Sequence, residues 1–288
     1  MKTFLVSGLL ILFSAFASAE SASNSPTILP SKVSAKPTII GLAPNVVEII
    51  YALGAGPQLL GASEHSTYPE DAQRLPQVSN YLNIDIEAIV TMNPDIVVVW
   101  KGGTPEKGIQ KLIDLNIKVF QFSANNFSEM LMEIKRLGQE IGRNQAAKEL
   151  TIALQQKYDA IKLQFNRRNS LIAFVEVWPN PLTTATQGTI VDQAIQVCGV
   201  KNLFQTPINS YPQVSLESVI TQPMDVIIQP VSKTAPAQLM DWSNYTHLNA
   251  VNNGAIISPD SDKLLRWSPR WIDEVQLLCQ SIARVASK

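Results

Sequence analysis

Charge is scarce in this chain. Asp, Glu, Lys and Arg together make up 16% of the 288 residues and almost cancel, leaving a formal net charge of −1. A face that neutralises nucleic-acid phosphates needs a clustered excess of Lys and Arg. The nearest candidate is the pair Arg167-Arg168, which reads as a solvated helix end favoured by the helix dipole. Histidine is scarcer still, with only His65 and His247. Two imidazoles far apart in sequence do not make the three or four ligands of a dedicated zinc or manganese site. There is no G-x-S-x-G elbow and no H-E-x-x-H. Gly54-Ala55-Gly56 follows a helical segment and lacks the third glycine of a dinucleotide loop. These absences argue against an enzyme, and no catalytic residue, resident metal or cofactor is assigned.

Long apolar runs are confined to the start. Lys2 precedes an apolar stretch from Phe4 to Phe16 and the small residues Ala17-Ser18-Ala19, the pattern of a secretory signal with cleavage before Glu20. The run falls short of the roughly 20 residues a membrane-spanning helix requires. Residues 1–19 are therefore expected to be a signal peptide, and the mature chain to be soluble. Without a Cys after the cleavage site there is no point for lipid attachment, so a Gram-negative periplasm is the expected compartment. Cysteine is limited to Cys198 and Cys279. In an oxidising compartment such a pair points to a disulfide, with two buried thiols as the alternative. For a loop of that length, chain entropy sets an upper stabilisation of about 4 to 5 kcal/mol.

About 270 residues after cleavage favour two domains over one core. Residues 20–36, rich in Ser, Pro, Ala and Thr, read as a flexible lead-in. Strand-like runs at Thr38–Ala43, Leu59–Ser63, Asp95–Trp100 and Val119–Ser123 alternate with helical segments, as parallel βαβ units require. From Gln145 to Arg168 the pattern changes. Leu150, Leu154, Tyr158, Ile161 and Phe165 form one stripe on an uninterrupted helix roughly 35 Å long. That is long enough to cross between lobes, although an ordinary crossover helix fits the periodicity too. The alternation then resumes, with strands at Leu171–Val177, Asp225–Gln229 and Ala255–Ser258, and helices at Val191–Val197 and Trp271–Val285. The expected fold is α/β, with two Rossmann-like lobes of parallel-type sheets, 37–144 and 169–288, joined by a helix over 145–168 and leaving a ligand cleft between them. There is also an internal echo. Gln77-Val78-Ser79, Glu87 and Asn93-Pro94-Asp95 are matched by Gln213-Val214-Ser215, Glu217 and Gln222-Pro223-Met224-Asp225, which implies a diverged duplication.

The order and spacing of several short segments resemble the periplasmic binding proteins whose two lobes are joined by a single rigid helix. These segments are Ala43-Pro44-Asn45 with Glu48, Leu53-Gly54-Ala55-Gly56, Tyr68-Pro69, Asn93-Pro94-Asp95-Ile96-Val97, and Ile113 with Leu115 before Ile117-Lys118-Val119. Members of that group serve cobalamin, haem and ferric-siderophore importers. Val99-Trp100-Lys101-Gly102-Gly103, the regions around Cys198 and Cys279, Tyr211-Pro212-Gln213-Val214-Ser215 and Ser268-Pro269-Arg270 are most similar to its cobalamin carriers. The likeness implies capture of cobalamin as a transported ligand, delivery to the permease dimer of an ABC importer, and a monomeric protein. A haem or ferric-siderophore carrier of the same fold is the alternative.

A corrin calls for aromatic faces and a few hydrogen bonds with little charge. Tyr68, Tyr81, Trp100, Trp178, Tyr211 and Trp267 stand near strand ends or in loops, where α/β lobes present ligands, and Arg266 is added as a polar contact. Trp242 and Trp271, in helical contexts, read as packing residues. Glu87 and Glu217, early in matching helices, are in the plain reading dipole partners. The resemblance implies that they dock basic residues of the importer, one on each lobe.

Overall fold

The computed structural model describes residues 36–165, 171–206, 209–232 and 239–285. The expected signal peptide, and the lead-in up to Ala35, lie outside the described residues.

The first lobe alternates strand and helix: β1 (Ile39–Gly41), α1 (Pro44–Ala52), β2 (Leu59–Ser63), β3 (Gln77–Ser79), α2 (Ile86–Met92), β4 (Ile96–Trp100), α3 (Glu106–Asp114), β5 (Val119–Phe122) and α4 (Phe127–Glu140). Its five strands are all parallel in the order β3-β2-β1-β4-β5. Ile39, Ile96 and Val98 point to the face covered by α1 and α4, whereas Ile40, Val97 and Val99 point to the face covered by α2 and α3. Burial on both faces is why these strands are apolar without alternation.

Helix α5 (Asn144–Phe165) has 22 residues, about 33 Å of rise. It packs against α4 of the first lobe and against two helices of the second, α6 (Ile190–Val197) and α10 (Trp271–Val285). The expected stripe is largely the buried one: Leu154, Ile161 and Phe165 are enclosed, and the Tyr158 ring stacks on Phe127 at 4.4 Å. Ala147 and Thr151 are also buried, because the helix is covered on more than one side. Residues 166–168 of the expected linking helix lie outside the described residues.

The second lobe contains β6 (Ile172–Pro179), β7 (Leu182–Thr184), α6, β8 (Lys201–Asn202), α7 (Leu216–Ile220), β9 (Val226–Ile228), α8 (Asn249–Asn252), β10 (Ile256–Ile257), α9 (Ser261–Leu264) and α10. Strands β10, β9 and β6 run parallel, β8 adds parallel to β6, and β7 closes as an antiparallel hairpin with β6. The expectation of strands and helices was met for the longer elements. Strands β7 and β8 were missed, since two or three residues carry no readable period. Trp242 is buried as expected but sits in an irregular segment rather than a helix.

One hydrophobic core runs from Ile39 and Val46 of the first lobe through Leu154 and Phe165 of α5 to Ala173, Cys198 and Ile282 of the second. Cys198 and Cys279 form a disulfide within it, with Cα atoms 4.9 Å apart, tying the end of α6 to α10. The alternative of two free thiols is thereby excluded.

The internal echo has a structural counterpart. The Asp95 carboxylate accepts from the Thr38 backbone N–H at 2.7 Å, just ahead of β1, and the Asp225 carboxylate accepts from the Ile172 N–H at 2.9 Å, at the start of β6. Each Asp clamps the first strand of its lobe to the strand that pairs with it, β4 or β9.

Candidate functional site: a cleft at the strand ends

In the first sheet, the chain leaves β1 toward one face and β4 toward the other. A doubly wound sheet opens a crevice at such a switch point, beyond the carboxyl ends of the strands. A cavity of about 220 Å³ lies there. Leu42, Ala43 and Pro44 line it from the turn after β1, and Trp100 and Gly103 from the turn after β4. Glu64, His65 and Tyr81 follow β2 and β3, and Arg266 enters from the second lobe. The Trp-Lys-Gly-Gly segment has a local reason. Gly102 has φ +91°, which a residue with a side chain rarely adopts. A Cβ on Gly103 would stand 2.1 Å from Trp100 Cε3, so the indole occupies the space that glycine leaves open. The Trp100 N–H donates to Thr104 Oγ1, whose hydroxyl donates to the Leu42 carbonyl, joining the two turns at the switch point.

Behind this floor the lobes are joined by charge. Glu48, buried on α1, accepts two hydrogen bonds from the Arg270 guanidinium, one of 3.0 Å from Nε and a shorter one from Nη2. Arg266 Nη1 lies 3.7 Å from the same carboxylate, while its Nη2 donates to Asp262 at 2.7 Å. Burial lowers the Arg270 pKa, but the hydrogen bonds and charge of Glu48 outweigh it and push the pKa up. Each of the two guanidinium groups is thus hydrogen-bonded to a carboxylate, Arg270 to Glu48 and Arg266 to Asp262.

The expected ligand residues divide. Tyr81 (77% exposed), Trp100 and Arg266 meet in the cavity. Trp178 (54% exposed) pairs with Thr183 in the β6–β7 hairpin, and Thr183 bridges to Gln213. Tyr211 stands two residues before Gln213 in the same segment. Tyr211 is 43% exposed, yet its surroundings are dense enough that desolvation raises its hydroxyl pKa. Tyr68 stands apart. The Arg270 guanidinium lies over its ring at 4.0 Å, and it borders a second cavity of about 450 Å³ between α1, α5 and the start of α10. That cavity is larger, but within the first lobe its walls are helix α1 and the Tyr68-Pro69 loop, with no strand end contributing. Trp267 is a correction. It is 5% exposed with its ring 4.9 Å from Trp271 in the common core, so it packs the second lobe and offers no face to the cleft.

The model of the periplasmic binding protein family matches residues 39–263. The chain belongs to this family. A vitamin B12-binding protein from Salmonella paratyphi A is 30% identical over 258 residues, covering 89% of this chain and 94% of its own length. The crystal structure of the periplasmic vitamin B12 binding protein of Vibrio cholerae superposes with a TM-score of 0.79 at 29% identity, covering 88% of this chain and 99% of that one. A periplasmic haem-binding protein solved with two haems shares the fold, with a TM-score of 0.78 at 19% identity over 87% and 99% of the two chains.

In this periplasmic binding protein, Glu87 and Glu217 occupy matching places. Each lies exposed in the first turn of its helix, α2 capped by Asp85 and α7 capped by Ser215. Each backbone carbonyl accepts from a Thr hydroxyl four residues on, at 2.8 Å in both lobes. Sequence reasoning passed over two members of the site. His65 is not among the expected ligand residues, although it stands just beyond strand Leu59–Ser63 and lines the cavity. Glu48 carried no signal of its own, because its partners are more than 200 residues away in sequence.

Proposed function

We propose that this protein is an exported carrier that captures cobalamin between its two lobes, 37–144 and 169–288, and delivers it to the permease of an ABC importer. The observation that carries this reading is the cleft floor: Trp100, Tyr81 and the aliphatic turn Leu42–Pro44, backed by two arginines already paired with carboxylates. A corrin is a broad macrocycle fringed with uncharged amides, and a surface of this composition meets it with contact area at little desolvation cost. The two relatives named for vitamin B12 support the same reading. Tyr81, Trp100 and Arg266 contact the ligand from the floor, and Trp178 and Tyr211 from the second lobe. Tyr68 orients Arg270 through their stacked contact. The carrier is not an enzyme, acts as a monomer, and loses residues 1–19 on export to a Gram-negative periplasm. Glu87 and Glu217 dock it on the importer, a contact of exposed charges that supplies orientation and encounter rate.

A haem-carrying reading draws on one observation, the His65 imidazole in the cleft, which suits an axial position on iron. A ferric-siderophore reading is less favoured, because Arg266 and Arg270 are both committed to carboxylates rather than free for an anionic ligand. Calorimetric titration of the purified protein with cyanocobalamin, haemin and a ferric siderophore decides among them. Binding of cyanocobalamin is expected, and failure to bind it ends the cobalamin reading. Replacing Glu87 and Glu217 with Ala is expected to weaken salt-sensitive association with the importer while sparing cobalamin affinity.

A further inference from the structure

The two imidazoles of this chain are held in opposite ways. His247 Nε2 is 3.2 Å from the Ile220 carbonyl, and its ring meets Tyr245 edge-on, so it is tied into the second lobe. His65 has no hydrogen-bond or ion-pair partner among the described residues. It is exposed and lines the switch-point cavity beside Leu42, Pro44, Tyr81 and Trp100. Its backbone has φ +61°, in the left-handed region that histidine, like asparagine and aspartate, enters more readily than most residues. The neighbouring turn is firm: the Glu64 N–H donates to Ser79 O, the Ser66 N–H donates to Ser63 O, and the hydroxyls of Ser63 and Ser66 lie 3.1 Å apart. A firm turn thus presents an imidazole without a partner among the described residues to a cavity whose wall carries Trp100 and Tyr81 as well as the polar Glu64 and Asn80.

We propose that His65 is an axial ligand to the metal of the cargo. This rests on the corrinoid reading and deepens it. The macrocycle lies against the aromatic floor, and the His65 ring reaches the upper axial position of cobalt(III). Where that position holds water, the imidazole nitrogen donates its lone pair to cobalt and one water molecule leaves. No electron is transferred and the oxidation state is unchanged. Where cyanide holds the position, no exchange takes place. The carrier therefore discriminates among corrinoids by the lability of the upper ligand, favouring aquocobalamin over cyanocobalamin.

The test compares aquocobalamin and cyanocobalamin on the wild type and on His65→Asn. Asn tolerates the left-handed backbone while replacing the imidazole with an amide, a poor cobalt ligand. The wild type is expected to bind aquocobalamin at least about ten-fold more tightly, roughly 1.4 kcal/mol, and to shift its visible absorption bands as free imidazole does. In His65→Asn the ratio of the two affinities is expected to fall to about one and the band shift to vanish, with free imidazole restoring the shift. An unchanged circular-dichroism spectrum and thermal unfolding midpoint report that the variant is folded. A wild type that binds both corrinoids alike with unshifted bands overturns the His65 assignment and leaves the cobalamin reading intact. A band shift that persists in His65→Asn also overturns it. A wild type that binds neither corrinoid overturns both.

Discussion

The two lobes repeat one plan and use it differently at the edge where a ligand would sit. In the first, β4 ends in Trp100, whose indole lies over Gly103 at the cavity wall. In the second, the corresponding strand β9 ends before Gln229, whose amide donates to the buried carboxylate of Glu176 at 2.8 Å and to the Met240 carbonyl at 3.0 Å. Glu176 also accepts from the Trp242 indole N–H and the Met240 backbone N–H. The same strand end lines a cavity in one lobe and is tied into the interior in the other. A duplicated scaffold needs its clamps, Asp95 and Asp225, in both copies. It is free to spend the strand ends on different tasks.

The largest expected effect comes from the contact that joins the lobes. Glu48→Ala takes both hydrogen-bonded acceptors from the mostly buried Arg270 guanidinium, while Arg266 keeps Asp262, and is expected to cost about 3 kcal/mol of stability, read by urea unfolding. A loss below about 1 kcal/mol would mean that the shared core alone holds the lobes together.

Glu176→Ala removes the acceptor of three donors inside the second lobe, and about 2 to 4 kcal/mol is expected, without counting on water to fill the gap. The same unfolding experiment measures it. The contrast with Trp100 is then direct. Trp100→Ala is expected to weaken cyanocobalamin binding by about 1 to 3 kcal/mol, five-fold to over a hundred-fold, by calorimetry. Trp267→Ala is expected to act the other way round, lowering stability by about 3 kcal/mol or more while its direct effect on affinity is small. If Trp267→Ala abolished binding in a protein of normal stability, the division between floor and core would be wrong.

The smallest effect concerns the clamps. Hydrogen bonds from the Thr38 backbone N–H and then its hydroxyl hold the Asp95 pKa below the usual carboxylate value. A carboxylate with a lowered folded-state pKa contributes stability that is present above the unfolded value, near 3.9, and lost as pH falls through the folded one. Because Asp95 is exposed, solvent screening limits the gain to well under about 1 kcal/mol. Comparing Asp95→Asn with wild type from pH 6 down to pH 2 should show their stabilities converging as acid is added. Divergence toward low pH would rule out the clamp as the cause.

Much of the scaffold could be read from residue order. Strand Leu59–Ser63 and helix Trp271–Val285 were legible to the residue, because apolar runs bounded by Gly, Pro and polar turns declare local structure. That Trp100 stands at a strand end was legible for a related reason: the apolar run closes on it and two glycines follow, and the structure places it at the cavity wall. Trp267 misled, since an aromatic beside Ser268-Pro269 looks the same in sequence whether it faces solvent or Trp271.

By itself, then, the sequence determined the alternation of strands and helices, the duplicated motif and the long helix, because each is set by spacing within a few residues. It also carried the cysteine pair, though not its closure. Only the tertiary structure decided which side chains share a space. Glu48 meets Arg270 across 222 positions of chain, and His65 comes to stand in the cavity that holds Trp100. Those meetings depend on how two sheets, one helix and a common core are packed, and local spacing carries no record of that.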